Sequence, residues 1–268
     1  MNFETLNINA TGPIAHLTLN RPQRLNAMNP TMLRELAEAA KWFDQQPEVR
    51  VVIVRGAGRA FCAGADLKNS SKNNPGDSWL SRRTAAQAGS RMMDAIEQMS
   101  AITIASVHGY AVGGAVLLMA ACDLRVAAET ARFSIPEVEL GIPLAWGGIP
   151  RLVREIGPAM TKELVITCRQ FTPHEAREMG FVNQVVPTEE LEQHTAKLAE
   201  LIAAMPAVPV AITKQHVNAV SRTMAGNTSY ADGDMLLSAY SSPESLEARQ
   251  AYVERRLEGK DPEGKEDV

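Results

Sequence analysis

Two stretches of small residues, each lying just beyond a β-branched apolar run, constrain this chain more than any other feature. The first, Ala60 to Leu67, reads Ala-Phe-Cys-Ala-Gly-Ala-Asp-Leu and comes after Val51-Val52-Ile53-Val54. The second, Gly109 to Leu117, reads Gly-Tyr-Ala-Val-Gly-Gly-Ala-Val-Leu and comes after Ile102-Thr103-Ile104-Ala105-Ser106-Val107. Small residues behind a strand let backbone N–H groups approach a ligand, because no side chain stands in the way. Where such a run opens a helix, its first N–H groups lack intrahelical partners and point outward as donors. Two donors aimed at one point can hold the negative charge that develops on a carbonyl oxygen. The same runs also suit plain close packing of helix on strand, so by themselves they leave both readings open.

The order of elements around them argues for a parallel sheet. Residues 2–19 read as two strands about a turn at residues 10–13, and Asn20 to Ala27 as a loop broken by Pro22. Asn29-Pro30 starts a helix over about 30–45 with Met32, Leu33, Leu36, Ala40 and Phe43 on one stripe. Strand, helix, strand in this order implies right-handed parallel crossovers. Residues 68–78 are polar and turn-rich, expected as a mobile loop. One long helix is expected over 79–99, with Met92, Met93, Ile96 and Met99 as core filler. Strand 102–108, helix 113–122 and strand 123–127 give a second β-α-β unit. Residues 132–152 carry three prolines and three glycines and read as a shaped loop. Further on, Thr172-Pro173-His174-Glu175 caps a helix and residues 180–186 form a short strand. Thr188 is expected to cap a helix to about 204, broken by Pro206 and Pro209. Two or three amphipathic helices fill 209–256, and the charged tail from Glu258 is expected to fray.

Composition narrows the function classes. A net charge of −4 argues against a broad nucleic-acid surface. The longest apolar runs, such as Ala111 to Cys122, fall short of the roughly 20 residues that span a bilayer. The start, Met1-Asn2-Phe3-Glu4, lacks a basic region followed by an apolar stretch. Cys62, Cys122 and Cys168 match no metal-ligand spacing and are read as reduced thiols of a cytoplasmic protein.

Four blocks in order carry a family resemblance: Asn20-Arg21-Pro22 with Leu25-Asn26-Ala27, Gly56-Ala57-Gly58 with Ala60 to Leu67, Gly109 to Gly114, and Pro136-Glu137-Val138 with Leu140 to Pro143 and Gly147-Gly148. With the later segments at 176–183 and 247–256, the chain resembles the crotonase superfamily, the enoyl-CoA hydratase/isomerase family, over nearly its whole length. That resemblance implies an α/β fold, a spiral of repeated β-β-α units with a C-terminal helical region. It divides the chain into a core at 1–204, carrying the coenzyme A site and the oxyanion hole, and a trimerisation region at 205–268. It implies homotrimers or hexamers and an acyl-CoA thioester substrate, without any further cofactor, metal, nucleic acid or membrane insertion. The thioester oxygen would lie between the N–H groups of Ala65 and Gly114. Coenzyme A would follow Arg24, Leu25 and Ala27 and the segment Ala63, Asp66, Leu67 and Lys68, with Arg24 and Lys68 as phosphate partners.

Hydratases of this family resemble a two-glutamate machine, one carboxylate to deprotonate water and one carboxyl to deliver the proton. Here the second position holds Glu137, but the first falls on Leu117, which cannot titrate. Glu139 is read as a surface or subunit-contact charge rather than a replacement. Leu144 and Trp146 depart from the small residues that the family often carries there. With Leu117 they imply a narrow, dry acyl pocket, which would raise the Glu137 pKa by desolvation. One carboxylate in such a pocket suits moving a proton along an enoyl chain, as in the family's Δ3,Δ2-enoyl-CoA isomerases. The alternatives are a hydratase with a displaced carboxylate and a non-catalytic acyl-CoA binding protein.

Overall fold

Strand β1 (Leu6–Thr11) turns back on β2 (Ile14–Leu19) through Gly12, whose φ of +74° glycine adopts without strain. From β2 onward the ladder is parallel: β3 (Val51–Gly56), β4 (Ile102–Val107), β6 (Leu124–Ala128) and β8 (Gln184–Val186) follow in that spatial order. Between them β5 (Tyr110–Val112) and β7 (Arg132–Ser134) pair in a second, smaller sheet. The computed structural model describes residues 2–67, 77–225 and 228–257. Lys68, most of the polar stretch after it and the tail from Glu258 therefore lie outside the described residues.

Alternation along the central strands sorts their side chains onto two faces. Val52, Val54, Ala105, Val107 and Ala127 join the larger core, which α1 (Pro30–Phe43) and α3 (Ala88–Gln98) cover. Val51, Ile53, Ile104, Val126 and Ala128 face the other way onto α7 (Leu191–Ala203). Each β-β-α unit places one strand in each sheet: β4 and β5 lead into α4 (Gly114–Ala121), and β6 and β7 into α5 (Gly148–Thr167). Isolated bridges Met28–Ala65 and Cys62–Ala111 continue the small sheet past β5, carrying the first run of small residues alongside the second. The result is the expected α/β spiral with helices at the C-terminal end.

Several elements depart from expectation. Residues 79–99 form two helices, α2 (Trp79–Ala86) and α3, broken at Gln87. Methionines 92, 93 and 99 are fully buried in the core, as expected of filler. Within α5 the ladder breaks at Gly157, φ 75°, ahead of Pro158. The Thr188 side chain bonds Thr130 instead of capping α7. Pro209 sits in the first turn of α8 (Ala207–Ala225), where a missing N–H costs nothing, so it does not end the helix. Helix α6 (Pro173–Glu178) starts on a full capping box of Thr172 and Glu175. Of the last two helices, α9 (Asp232–Ala239) packs along α2, where Arg83 bonds Asp234 at 2.6 and 3.1 Å, and α10 (Pro243–Leu257) follows. No single helix among the described residues is long and apolar enough to cross a membrane.

Candidate active site

The first amide owes its orientation to strand pairing, not to a helix end as the sequence suggested. Met28 N–H donates to the Gly64 carbonyl at 2.7 Å, and Asp66 N–H donates to the Met28 carbonyl at 3.0 Å. In a parallel bridge of this kind the residue between turns its own N–H to the opposite side. Ala65 N–H therefore points away from Met28. Asn26 holds this segment in place: its side chain donates to the carbonyls of Ala57 and Ala60, both at 2.8 Å, and accepts from Arg21 N–H. Arg21 in turn pairs with buried Asp66 at 3.0 Å.

The second amide does come from a helix start. Gly113, with φ 54°, gives its N–H to Ser134, and Gly114 opens α4 with no carbonyl one turn back to receive its own. Among the described residues neither the Ala65 nor the Gly114 amide has a hydrogen-bond partner. A Cβ built on Gly64 would lie 3.5 Å from Gly114 N. Since a Cβ reaches the next residue's nitrogen within about 3.7 Å, the two amide nitrogens are at most about 7 Å apart. That spacing admits one oxygen between them.

Glu137 stands beside this pair. A Cβ on Gly113 would lie 2.5 Å from its Oε1 and 3.4 Å from its Oε2, so the carboxylate rests on the glycine that precedes the second amide. Its Oε2 is closed off from solvent without a hydrogen-bond partner. Burial pushes the Glu137 pKa up to about 7, held back only by a backbone hydrogen bond. One turn along α4, Leu117 is buried at 1% exposure and brings an apolar side chain where a second acid would stand. Trp146, with φ 57°, lays its indole between two glycines: a Cβ on Gly114 would come 2.5 Å from it, and one on Gly89 would collide outright. Leu117 and Leu144 meet over Gly148 in the same way, at 2.8 and 2.9 Å. The loop keeps this shape through charge: Gly147 N–H donates to buried Asp232 at 2.6 Å, and Arg151 reaches the Gly147 carbonyl while paired with Asp94 and Glu97.

These groups share a cavity of about 310 Å³. Ala63, Ala65, Asp66, Leu67, Gly114, Leu117, Glu137, Leu144 and Trp146 line it, as do Leu236, Tyr240 and Tyr252 from the C-terminal helices. Arg24, Leu25 and Ala27 do not. Arg24 is exposed, Leu25 uses its carbonyl to receive Ala63 N–H, and the Ala27 carbonyl accepts from Arg21. Glu139 turns away to pair with Arg255 at 2.7 Å. Sequence reasoning did not single out the brace formed by Asn26, Arg21 and Asp66, nor Gly89, whose missing side chain admits the indole. A larger cavity of about 700 Å³ lies between α5, α8 and the end of β6. Its cations are engaged, Lys214 with Asp123, Arg125 with Glu155 and Arg154 with Glu97, and it holds no catalytic constellation. No group of three or more His, Cys, Asp or Glu that could hold a metal ion occurs among the described residues.

Comparison with known proteins shows the family and the fold. Residues 9–260 match the family model described as enoyl-CoA hydratase/isomerase. A probable enoyl-CoA hydratase of Mycobacterium bovis is 32% identical, the match covering 96% of this chain and 97% of that one. A crotonyl-CoA hydratase of Syntrophomonas wolfei is likewise 32% identical over 96% and 97% of the two chains. A crystal structure of an enoyl-CoA hydratase/isomerase from Xanthobacter autotrophicus Py2 superposes with a TM-score of 0.85, at 28% identity, over 97% of this chain and 95% of the other.

Proposed function

The chain belongs to the enoyl-CoA hydratase/isomerase family, and within it we propose a single-carboxylate enoyl-CoA isomerase. The observation that carries this reading is the pairing of Glu137 with Leu117: one acid with a pKa of about 7 beside the two free amides, and an alkyl side chain where a second acid is needed for hydration. In the proposed reaction a 3-enoyl thioester places its carbonyl oxygen between the Ala65 and Gly114 N–H groups. Glu137 carboxylate takes a proton from C2, the C2 electrons join the conjugated dienolate, and the negative charge gathers on the thioester oxygen. Two donors on that oxygen stabilise the dienolate by about 3 kcal/mol each. The protonated Glu137 then returns its proton at C4 as the double bond settles between C2 and C3. A carboxyl with pKa near 7 both accepts and gives up that proton without a large penalty in either direction. Leu117, Leu144 and Trp146 keep water from the dienolate, which favours return of the proton over addition of hydroxide.

Coenzyme A, in this reading, is part of the substrate and follows Ala63, Asp66 and Leu67, with Arg24, Leu25 and Ala27 at the rim. The enzyme needs no other cofactor and works as a trimer or hexamer in the cytoplasm. A second reading, enoyl-CoA hydratase, is favoured by the names that the relatives carry. It requires a second acid, and the other acids among the described residues of the cavity are Asp66, already paired with Arg21, and Asp77. Incubation with a 3-enoyl-CoA and with crotonyl-CoA, following the conjugated thioester absorbance, separates the two. The isomerase reading expects absorbance to appear from the first and stay constant with the second. Rapid loss of absorbance from crotonyl-CoA refutes it, and no turnover of either with retained binding identifies a non-catalytic binder.

A further inference from the structure

Beyond the reacting end, the cavity carries one cation, Arg82, whose charge no described residue answers with an ion pair. Helix α2 contributes Ser81, Arg82, Ala85 and Ala86 to the wall, facing Leu236, Leu237 and Tyr240. Arg82 is the only positively charged side chain among the described residues lining the cavity. It is half-buried, its Nε is closed off from solvent, and among the described residues that Nε has no hydrogen-bond partner and the guanidinium enters no ion pair. Its neighbour Arg83 shows the contrast, clamped through two N–H groups by Asp234. Arg21, outside the lining, is likewise spent, since it holds the lining residue Asp66. A guanidinium N–H withdrawn from water without an acceptor is costly, and an acceptor on a ligand in the cavity would relieve that cost.

Position supplies the kind of ligand. Gly89 touches Trp146, and Trp146 touches Gly114, so residue 89 marks the level of the reacting carbonyl. Arg82 lies seven residues earlier, beyond the break at Gln87. With helical backbone on both sides of the break, at about 1.5 Å per residue, the Arg82 backbone lies within about 10 Å of that level. An extended six-carbon acyl chain covers about 6–7 Å of that span, and the arginine side chain reaches across the rest. We propose that Arg82 receives a carboxylate at the far end of the acyl group, making the preferred substrates CoA thioesters of dicarboxylic acids. The planar fork of the guanidinium accepts both oxygens of such a group at once. Asp77, on the same wall, repels the same carboxylate and makes the preference depend on Arg82.

This proposal rests on the acyl-CoA reading of the cavity, and it is tested by binding, without turnover. Calorimetric titration uses hexanedioyl-CoA, hexanoyl-CoA and free coenzyme A on the wild-type protein and on Arg82→Gln and Arg82→Lys. The wild type is expected to bind hexanedioyl-CoA about tenfold or more tighter than hexanoyl-CoA. Arg82→Gln should abolish that preference and leave hexanoyl-CoA and free coenzyme A unchanged, while Arg82→Lys restores part of it. Equal losses for all three ligands in Arg82→Gln overturn the proposal and assign the guanidinium to a coenzyme A phosphate. No wild-type preference for the diacid overturns it as well. Failure of the wild type to bind any of the three strikes the acyl-CoA reading itself.

Discussion

Replacing Glu137 by Gln should change how stability depends on pH, and the structure sets the size of the effect. The carboxyl is raised from 4.5 to about 7 because its oxygens are shut away from water. Between those two values the folded protein holds a proton that the unfolded chain releases. Stability therefore falls as pH rises from about 4.5 through about 7 and levels off above, the reverse of a salt-bridged acid. At about 1.4 kcal/mol per pH unit, the group costs the folded state about 3 kcal/mol at pH 8 and almost nothing at pH 4. Glutamine keeps the shape and cannot ionise. Urea unfolding of wild type and Glu137→Gln at pH 5 and pH 8 isolates this group, since every other titration is common to both proteins. The variant should gain about 2–3 kcal/mol relative to wild type on going from pH 5 to pH 8. The same substitution should lower isomerisation by about 10² to 10⁴. Parallel stability curves for the two proteins would show that Glu137 ionises freely in the folded state, and the argument for its poise would fall.

Leu117→Glu should introduce crotonyl-CoA hydration where the parent shows none, at a cost of about 2–4 kcal/mol in thermal unfolding for placing an acid in the apolar wall. Gly113→Ala drives a methyl to 2.5 Å from Glu137 Oε1 at a φ of 54°. It should lose about 1–3 kcal/mol and isomerise at least about a hundredfold more slowly. Gly12→Ala, with φ also positive but nothing within 4 Å, is the control, expected to lose about 1 kcal/mol with unchanged rate. Glu97→Ala leaves Arg151 and Arg154 facing each other without their shared acid and should cost about 3–5 kcal/mol by denaturant titration.

The fold was readable because its pieces are local. Val51 to Val54 is apolar on both faces and Ile102 to Val107 nearly so, with only Thr103 and Ser106 polar, as a covered parallel strand requires, and the helices between them carry plain stripes. The break at Gln87 was not readable, since no glycine or proline marks it; just beyond it the Trp146 ring packs on Gly89, a partner distant in sequence. At the site, glycine marked the second amide well, because Gly113 needs a positive φ and Gly114 must lie bare beneath an indole. The first amide was legible as a position but not as a mechanism of exposure, which comes from a bridge to Met28, distant in sequence. Charges were the least legible. Arg24 and Arg82 look alike in a sequence, yet one lies outside the cavity and the other lines it. Only the packing of α2 on α9 separates them.

The central claim is that one thioester oxygen is held by the amides at 65 and 114 with Glu137 over the adjacent carbon. A crystal structure with an unreactive saturated acyl-CoA measures this directly. The oxygen should lie about 2.7–3.1 Å from both nitrogens, with a Glu137 oxygen in van der Waals contact with C2. An oxygen beyond about 4 Å from either nitrogen, with the acyl chain seated in the same cavity, would contradict the account.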